Sequence, residues 1–217
     1  MIIKIEKISP SADGETVLLD ISLSSGKNIQ TEKKIISAAQ FYDLGLSTAA
    51  GQILSTDKFD EISRAAQVTA AIKKGIDLLA YAQSTKKGLS KKLVLRGYPK
   101  EISDEAAEYL EKVGYISEKS QAEALVRNLA EKKLYGPSRI KSELFSKSYS
   151  EDAIAAALDT DIDYDAICAE RIRKTVGTEV FSLSRESRGK AINSLMRYGF
   201  SMQNIRSALE TLKNQPF

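Results

Sequence analysis

A repeat of 51 residues constrains the fold of this 217-residue chain more than any other feature of its sequence. Three apolar positions recur at this interval in three successive segments. A fixed interval of this size is typical of helical repeats, in which one unit cannot bury its apolar side chains without a stacked neighbour. The recurring sets are Leu89, Ile140 and Ala191; Leu93, Leu144 and Leu195; and Tyr98, Tyr149 and Phe200.

Each repeat is predicted to contain three helices. The second helix ends at a glycine or serine that precedes the aromatic residue, and the aromatic side chain is expected to close the corner before the third helix. The third helix begins after a residue that suits a helix start, namely Pro99, Ser150 or Ser201. In the first repeat, Ser103 stands where the other repeats have isoleucine, so the apolar positions of its third helix are expected to shift to Ile102, Ala106 and Leu110.

The beginning of the chain follows a strand pattern instead. Apolar residues alternate in "MIIKIEKI" and again from Val17 to Leu23, and an Asp-Gly pair at residues 13 and 14 indicates a turn between these stretches. From Lys33 onward the pattern is helical, and Gly45 is expected to end the first helix. A small antiparallel sheet is therefore predicted, and because such a sheet is marginally stable alone, it must dock on the helices.

These patterns together predict a mainly α fold. We expect tandem three-helix repeats that form an elongated curved rod, with a small N-terminal antiparallel β element. The predicted divisions are an N-terminal extension of strands and helix over residues 1–59, and three-helix repeats over residues 60–116, 117–160 and 161–217.

The composition argues against the common classes of enzyme. The chain contains no histidine and one cysteine, so it lacks the usual general base near neutral pH and cannot form a Cys–His nucleophile. No glycine-rich phosphate-binding motif occurs, and Cys168 is interpreted as a buried small hydrophobe. The alternating aspartates of "DTDIDYD" lack the glycine and glutamate of a calcium loop, so they are interpreted as a linker that caps the next helix. We therefore expect no catalytic residue, no metal and no cofactor.

The same sequence gives no indication of membrane insertion. No apolar run approaches the roughly 18 residues that a membrane span needs. The N-terminal "MIIKIEKISP" lacks the apolar core of a signal peptide, and a single cysteine cannot form an internal disulfide. A soluble cytoplasmic protein that does not contact membranes is the simplest interpretation.

Basic residues form local clusters, although the net charge of +3 is too small to indicate nucleic-acid binding by itself. The clusters recur on the second helix of successive repeats, so stacked repeats would align them along one side. The alternative for any single residue is an ordinary solvated position on an amphipathic helix. The residues predicted to contact a partner are Lys91, Lys92, Arg96, Arg139, Lys141, Arg171, Arg173, Arg188 and Arg197.

Two motifs carry a resemblance to a known family. A "GYI" at residues 114–116 stands between the first two repeats, and the second helix of the next repeat begins with Gly136, Arg139 and Ile140, followed by Glu143 and Leu144. The order and spacing of the three repeats over residues 60–215 resemble the bacterial regulatory protein RecX family. The strand-rich N-terminal segment resembles the extension of longer family members. One departure is Ser148, which stands where the family usually has glycine.

The resemblance implies a regulator of the RecA recombinase that is not an enzyme. Family members bind the recombinase filament on single-stranded DNA, typically within its helical groove, and they inhibit or disassemble it. The expected partners are therefore the RecA filament and single-stranded or double-stranded DNA, with roles in recombination, DNA repair and the SOS response. We expect a monomer whose basic residues contact either an acidic surface of the filament or DNA phosphate, and the sequence leaves both alternatives open.

Two other classes of function compete with this interpretation. A sequence-specific helix-turn-helix protein, such as a transcription regulator, needs base-reading side chains at the start of a recognition helix. The third helices of the first two repeats begin with acidic or apolar residues, and Gln203, Asn204 and Arg206 of the last repeat are the candidates. This alternative is therefore weaker. A purely structural adaptor is the remaining class, and it predicts no effect on recombinase ATP hydrolysis.

Overall fold

A computed structural model of the chain describes residues 1–214, except for the side chains of residues 178 and 179. Its contacts divide the chain into two compact units, Met1–Ile116 and Ser117–Phe217. The first unit contains a small antiparallel sheet followed by one set of three helices, and the second contains two further sets. The predicted fold class of three-helix repeats after an N-terminal β element is therefore confirmed. The last three residues of the predicted third repeat lie outside the described residues.

The sheet has four antiparallel strands in the spatial order β3-β2-β1-β4. Alternate residues of the central strands, including Ile5, Leu19 and Ile21, are fully buried and form the core of the sheet, as the period of two predicts. The strands are β1 (Ile2–Pro10), β2 (Thr16–Ser25), β3 (Asn28–Ser37) and β4 (Ile53–Leu54).

The prediction that residues from Lys33 onward are helical is wrong for the first five of them. Residues up to Ser37 belong to β3, which pairs with β2 along its whole length, and the helix α1 is only Ala38–Asp43. Exposed Ile35 and buried Ile36 show the alternation of a strand. Pairing with β2 therefore overrides the local helical pattern. The end of α1 is as predicted, because Leu44 is its C-cap and Gly45 follows with a φ of 63°.

The first repeat consists of α2 (Thr56–Tyr81), α3 (Lys86–Val94) and α4 (Lys100–Lys112). The boundary that the sequence places between residues 59 and 60 falls inside the first turn of α2. This long helix serves two cores: Ile62 and Ala65 pack with the sheet, whereas Val68 and Ala71 pack with α3 and α4. The sheet therefore docks on the first repeat through a shared helix.

The second unit contains the other two repeats. Each has three helices, and a short 3-10 helix, Gly177–Phe181, precedes the second helix of the last repeat. Among residues 1–214, no helix is both long and apolar enough to cross a membrane. The helices are α5 (Glu118–Glu131), α6 (Pro137–Ser146) and α7 (Glu151–Leu158) in the second repeat, and α8 (Tyr164–Thr175), α9 (Arg185–Arg197) and α10 (Met202–Asn214) in the third.

The turn between the second and third helices has the same geometry in all three repeats. The backbone N–H of the aromatic residue donates to the carbonyl of the leucine five residues earlier, at 3.3 Å in each case. The residue before the aromatic has a positive φ, 93° at Gly97, 66° at Ser148 and 96° at Gly199. This is the usual backbone closure of a helix by a left-handed residue. The equivalent leucines Leu93, Leu144 and Leu195 are all buried.

The apolar positions predicted for the third helix of the first repeat, Ile102, Ala106 and Leu110, are all buried, which confirms the prediction, and the serine beside them is buried as well. Ser103 is fully buried, like its equivalents Ile154 and Ile205, and it lies beside buried Ile102. Its hydroxyl donates to the carbonyl of Pro99 at 2.9 Å. A serine can occupy this core position because the preceding turn of its own helix satisfies its hydroxyl.

Candidate functional site

Some basic residues of the first repeat form ion pairs. Lys86 pairs with Glu111 at 2.7 Å, and Lys100 pairs with Asp104 on the next turn of the same helix. The predicted contact residues Lys91 and Arg96 are exposed, and Lys92 is half-buried. The region around α3 is therefore one in which positive and negative groups are mixed.

The arginines of the second unit have a different environment, because they lie on tyrosine rings. The guanidinium carbon of Arg139 is 4.1 Å from the ring centre of Tyr135 and 5.2 Å from that of Tyr198. The guanidinium carbon of Arg171 is 3.5 Å from the ring centre of Tyr198. In the described part of the chain, neither arginine forms an ion pair. Stacking on a ring holds a guanidinium in place and leaves its N–H groups able to bind an anion.

A close backbone approach brings these residues together from two repeats. The N–H of Gly136 donates to the carbonyl of Tyr198 at 2.8 Å, and both the N–H and the hydroxyl of Ser138 donate to the carbonyl of Gly199. A Cβ added at Gly199 would lie 2.5 Å from the backbone nitrogen of Arg139, so no side chain fits there. The turn after α9 therefore caps the beginning of α6, whose first N–H groups have no partner within the helix.

A cleft of about 480 Å³ opens beside this contact. Its positive groups are Arg139 and Arg197, and its acidic group is Glu143. Arg197 is exposed and Glu143 is half-buried. Within the described residues, neither Arg197 nor Glu143 takes part in an ion pair. The other lining residues are Ser138, Ser142, Ser146 and Gly199.

The remaining predicted contact residues of this unit do not join the cluster of Arg139, Arg171 and the two tyrosines. Lys141 lies 5.9 Å from the ring centre of Phe145, and Arg173 is 3.7 Å from the carboxylate of Glu170. Arg188 is exposed on α9. The structure thus brings together Arg139, Arg171 and Arg197 from the nine predicted residues and leaves the others separate.

Three residues of this site were absent from the sequence-based prediction: Tyr135, Tyr198 and Glu143. Tyr135 lies just before Gly136, the N-cap of α6, so it is outside the helix that carries Arg139. The four-residue spacing of one helix face therefore does not apply, and no signal in the sequence indicates the first stacked pair. The contact between Tyr198 and Arg139 joins residues about 60 positions apart, and nothing local to either segment indicates it.

Two other predicted features have structural roles. Asp163 caps α8, since its carboxylate accepts from the N–H groups of Asp165 and Ala166. Cys168 is buried, and that burial, together with the carboxylate of Asp165, raises the pKa of its thiol to about 12. Across residues 1–214, with 178 and 179 excepted, no group of acidic, histidine or cysteine side chains is arranged to hold a metal ion.

The side-chain amide of Asn204 forms hydrogen bonds within the protein. Its side-chain oxygen accepts from the N–H of Ser201 at 3.0 Å, and its side-chain nitrogen donates to Asp165 at 2.7 Å. A residue that reads DNA bases needs both of these groups for an adenine edge. The structure therefore disfavours Asn204 as a base-reading residue, whereas Gln203 and Arg206 are exposed on α10.

The chain is similar to proteins named Regulatory protein RecX. It is 33% identical over 138 residues to Regulatory protein RecX of Xanthomonas campestris pv. campestris (strain B100), a match that covers 63% of this chain and 84% of that protein. Regulatory protein RecX of Stenotrophomonas maltophilia (strain R551-3) is 31% identical over 138 residues, with 63% and 83% covered. No protein-family model matches the chain.

Solved structures share the fold. A crystal structure of regulatory protein RecX superposes with a TM-score of 0.73 at 21% identity, over 98% of this chain and all of that chain (100%). The crystal structure of RecX from Lactobacillus salivarius superposes with a TM-score of 0.61 at 22% identity, over 69% of this chain and 98% of that one.

Proposed function

Because this chain belongs to the RecX family of regulatory proteins, we propose that it binds the RecA recombinase filament on single-stranded DNA and inhibits or disassembles it. The protein then modulates recombination and DNA repair in the cytoplasm as a monomer, without catalysis of its own. The observation that carries this proposal is the match to curated RecX proteins over 138 residues.

The ring-stacked arginines support the proposal from the structure. A filament offers the same acidic groups on every protomer and on the DNA it encloses. Arg139 and Arg171 are already fixed on tyrosine rings, so less side-chain entropy is lost when they bind such groups. Modest contacts made by several repeats reinforce one another, because each later contact is effectively intramolecular. The proposed contact residues are the nine predicted from sequence, with Arg139, Arg171 and Arg197 as the central group.

The proposal is tested by ATP hydrolysis of the cognate recombinase on single-stranded DNA. We expect the protein to lower the rate in a concentration-dependent way, and an unchanged rate would contradict the proposal. The double variant Arg139→Gln, Arg171→Gln should need at least about tenfold more protein for half-inhibition, because each lost charge-assisted hydrogen bond weakens binding. The control Lys27→Gln, Lys33→Gln removes the same charge from two exposed positions, one in the turn between β2 and β3 and one on β3, and should inhibit like the unsubstituted protein.

A gel-shift series on duplexes of varied sequence addresses the helix-turn-helix alternative. Weak binding that is insensitive to sequence agrees with a filament regulator. Tight, sequence-selective binding in the absence of recombinase would favour a transcription regulator instead.

A further inference from the structure

The cleft beside the Gly136–Gly199 contact contains charges of both signs that the protein does not neutralise itself. Arg139 and Arg197 supply the positive groups, and the half-buried carboxylate of Glu143 supplies the negative one. Within residues 1–214, none of the three forms an ion pair. An occupant that matches this cleft therefore needs an acidic group for the arginines and a basic group for Glu143.

The serines of the cleft have already used their hydroxyl protons. Ser138 donates to the carbonyl of Gly199, Ser142 to that of Ser138, and Ser146 to that of Glu143, at 2.8–3.1 Å. A serine hydroxyl has one proton to donate and two lone pairs to accept with. These three hydroxyls therefore favour N–H donors on an occupant.

A DNA strand does not supply such an occupant. Its backbone has a negative charge at every phosphate, and phosphate oxygens only accept hydrogen bonds. They would meet the carboxylate of Glu143 and three serines without a free proton, and like charges at an interface disfavour binding. A protein segment has backbone N–H donors and can present both an acidic and a basic side chain.

We propose that the cleft between Glu143 and Arg197 binds a protein segment of mixed charge on a recombinase protomer, rather than DNA. This inference rests on the proposed function, and it assigns the cleft to the protein component of the filament. The basic group of the segment pairs with Glu143, its acidic group pairs with Arg139 or Arg197, and its N–H groups donate to the serine hydroxyls.

The substitution Glu143→Lys separates the two occupants by the sign of its effect. If the occupant is protein, the variant should need at least about tenfold more protein for half-inhibition of recombinase ATP hydrolysis, because like charges now face each other. Its affinity for a fluorescein-labelled oligo(dT) strand, measured by fluorescence anisotropy without recombinase, should be unchanged or higher. The control Glu210→Lys makes the same charge change at an exposed position of α10 and should leave inhibition intact.

The contrary results are distinct. Equal or stronger inhibition by Glu143→Lys would overturn the inference, and tighter oligo(dT) binding in the same variant would then assign the cleft to DNA, while the proposed function would stand. A lack of inhibition by the unsubstituted protein would overturn the proposed function and this inference with it. Circular dichroism checks folding, and Glu143→Gln, which keeps the side-chain size, should show a smaller loss of inhibition in the same direction.

Discussion

The first repeat and the third repeat share a turn but use their charged residues differently. Around the turn of the first repeat, Lys100 and the hydroxyl of Ser90 both bind the carboxylate of Asp104. Around the turn of the third, Arg139 and Arg171 lie on the ring of Tyr198. The same backbone frame therefore has an ion pair beside it in one place and, in the other, ring-stacked arginines that form no ion pair with any described residue. The difference shows that the repeat specifies the fold, whereas the residues between its core positions specify the surface.

The space around the glycine of the turn also differs between the first and the third repeat. A Cβ at Gly97 would meet no atom within 4 Å, whereas a Cβ at Gly199 would collide with the backbone of Arg139. In the first repeat the turn is exposed to solvent, and in the third it is a packing surface for another repeat. Five substitutions, in three sets, test this comparison.

The largest effect is expected at the core leucine that all repeats share, which is Leu93 in the first repeat and Leu144 in the second. Leu93→Ala and Leu144→Ala should each lower the free energy of unfolding by about 2–5 kcal/mol, because both leucines are fully buried and each change leaves a cavity. Urea denaturation followed by circular dichroism measures the loss. A near-neutral result at either position would show that the repeats do not have equivalent cores.

A smaller effect is expected where the two regions differ. Gly199→Ala should cost about 2–4 kcal/mol, since it adds left-handed backbone strain and an overpacked contact with Arg139. Gly97→Ala should cost about 1 kcal/mol, because it adds the strain alone. Cys168, the single cysteine, is buried in the second unit, so its rate of labelling by a thiol reagent reports opening of that unit. Faster labelling is expected for Gly199→Ala but not for Gly97→Ala, and equal effects would remove the distinction.

The smallest effect is expected for the ion pair of the first repeat. Hydrogen bonds from Lys100 and then from Ser90 lower the pKa of Asp104, so its stabilising contribution is present above its ordinary pKa and is lost as the pH falls through the folded value. Because the carboxylate is half-exposed, Asp104→Asn should cost under about 1 kcal/mol at pH 7. The difference between variant and parent should shrink as the pH falls below the ordinary pKa of aspartate and through the lowered pKa of Asp104. A difference that persists there would mean that Asp104 stabilises the repeat by packing.

The sequence predicts the periodic parts of the molecule well. Leu93, Leu144 and Leu195, the aromatic corners and the buried faces of the first two strands follow from residue patterns alone. Strand β3 does not, because its pairing with β2 depends on contacts that a local window lacks, and its lysines and isoleucines also fit a helix. At Ser103 the repeat pattern is correct although the residue type argues against it: the polar residue keeps a core position through a hydrogen bond to its own helix.

The candidate site is harder to predict from the sequence than the repeats are. The sequence shows that Arg139 and Arg171 are basic residues. It does not show that their guanidinium groups stack on tyrosine rings. Tyr198 reaches them because the turn after α9 binds the start of α6, a contact between segments about 60 residues apart. The roles of the nine basic residues toward filament or DNA stay predictions until binding is measured.

The hydrogen bonds from Gly136 and Ser138 to the turn after α9 have a consequence for truncation and domain exchange. A chain that stopped before α8 would leave the first N–H groups of α6 without their acceptors and would expose the ring of Tyr135 that now faces Tyr198. The last repeat therefore cannot be deleted or swapped as an independent module. A functional truncation at this end must therefore keep or remove the second and third repeats together.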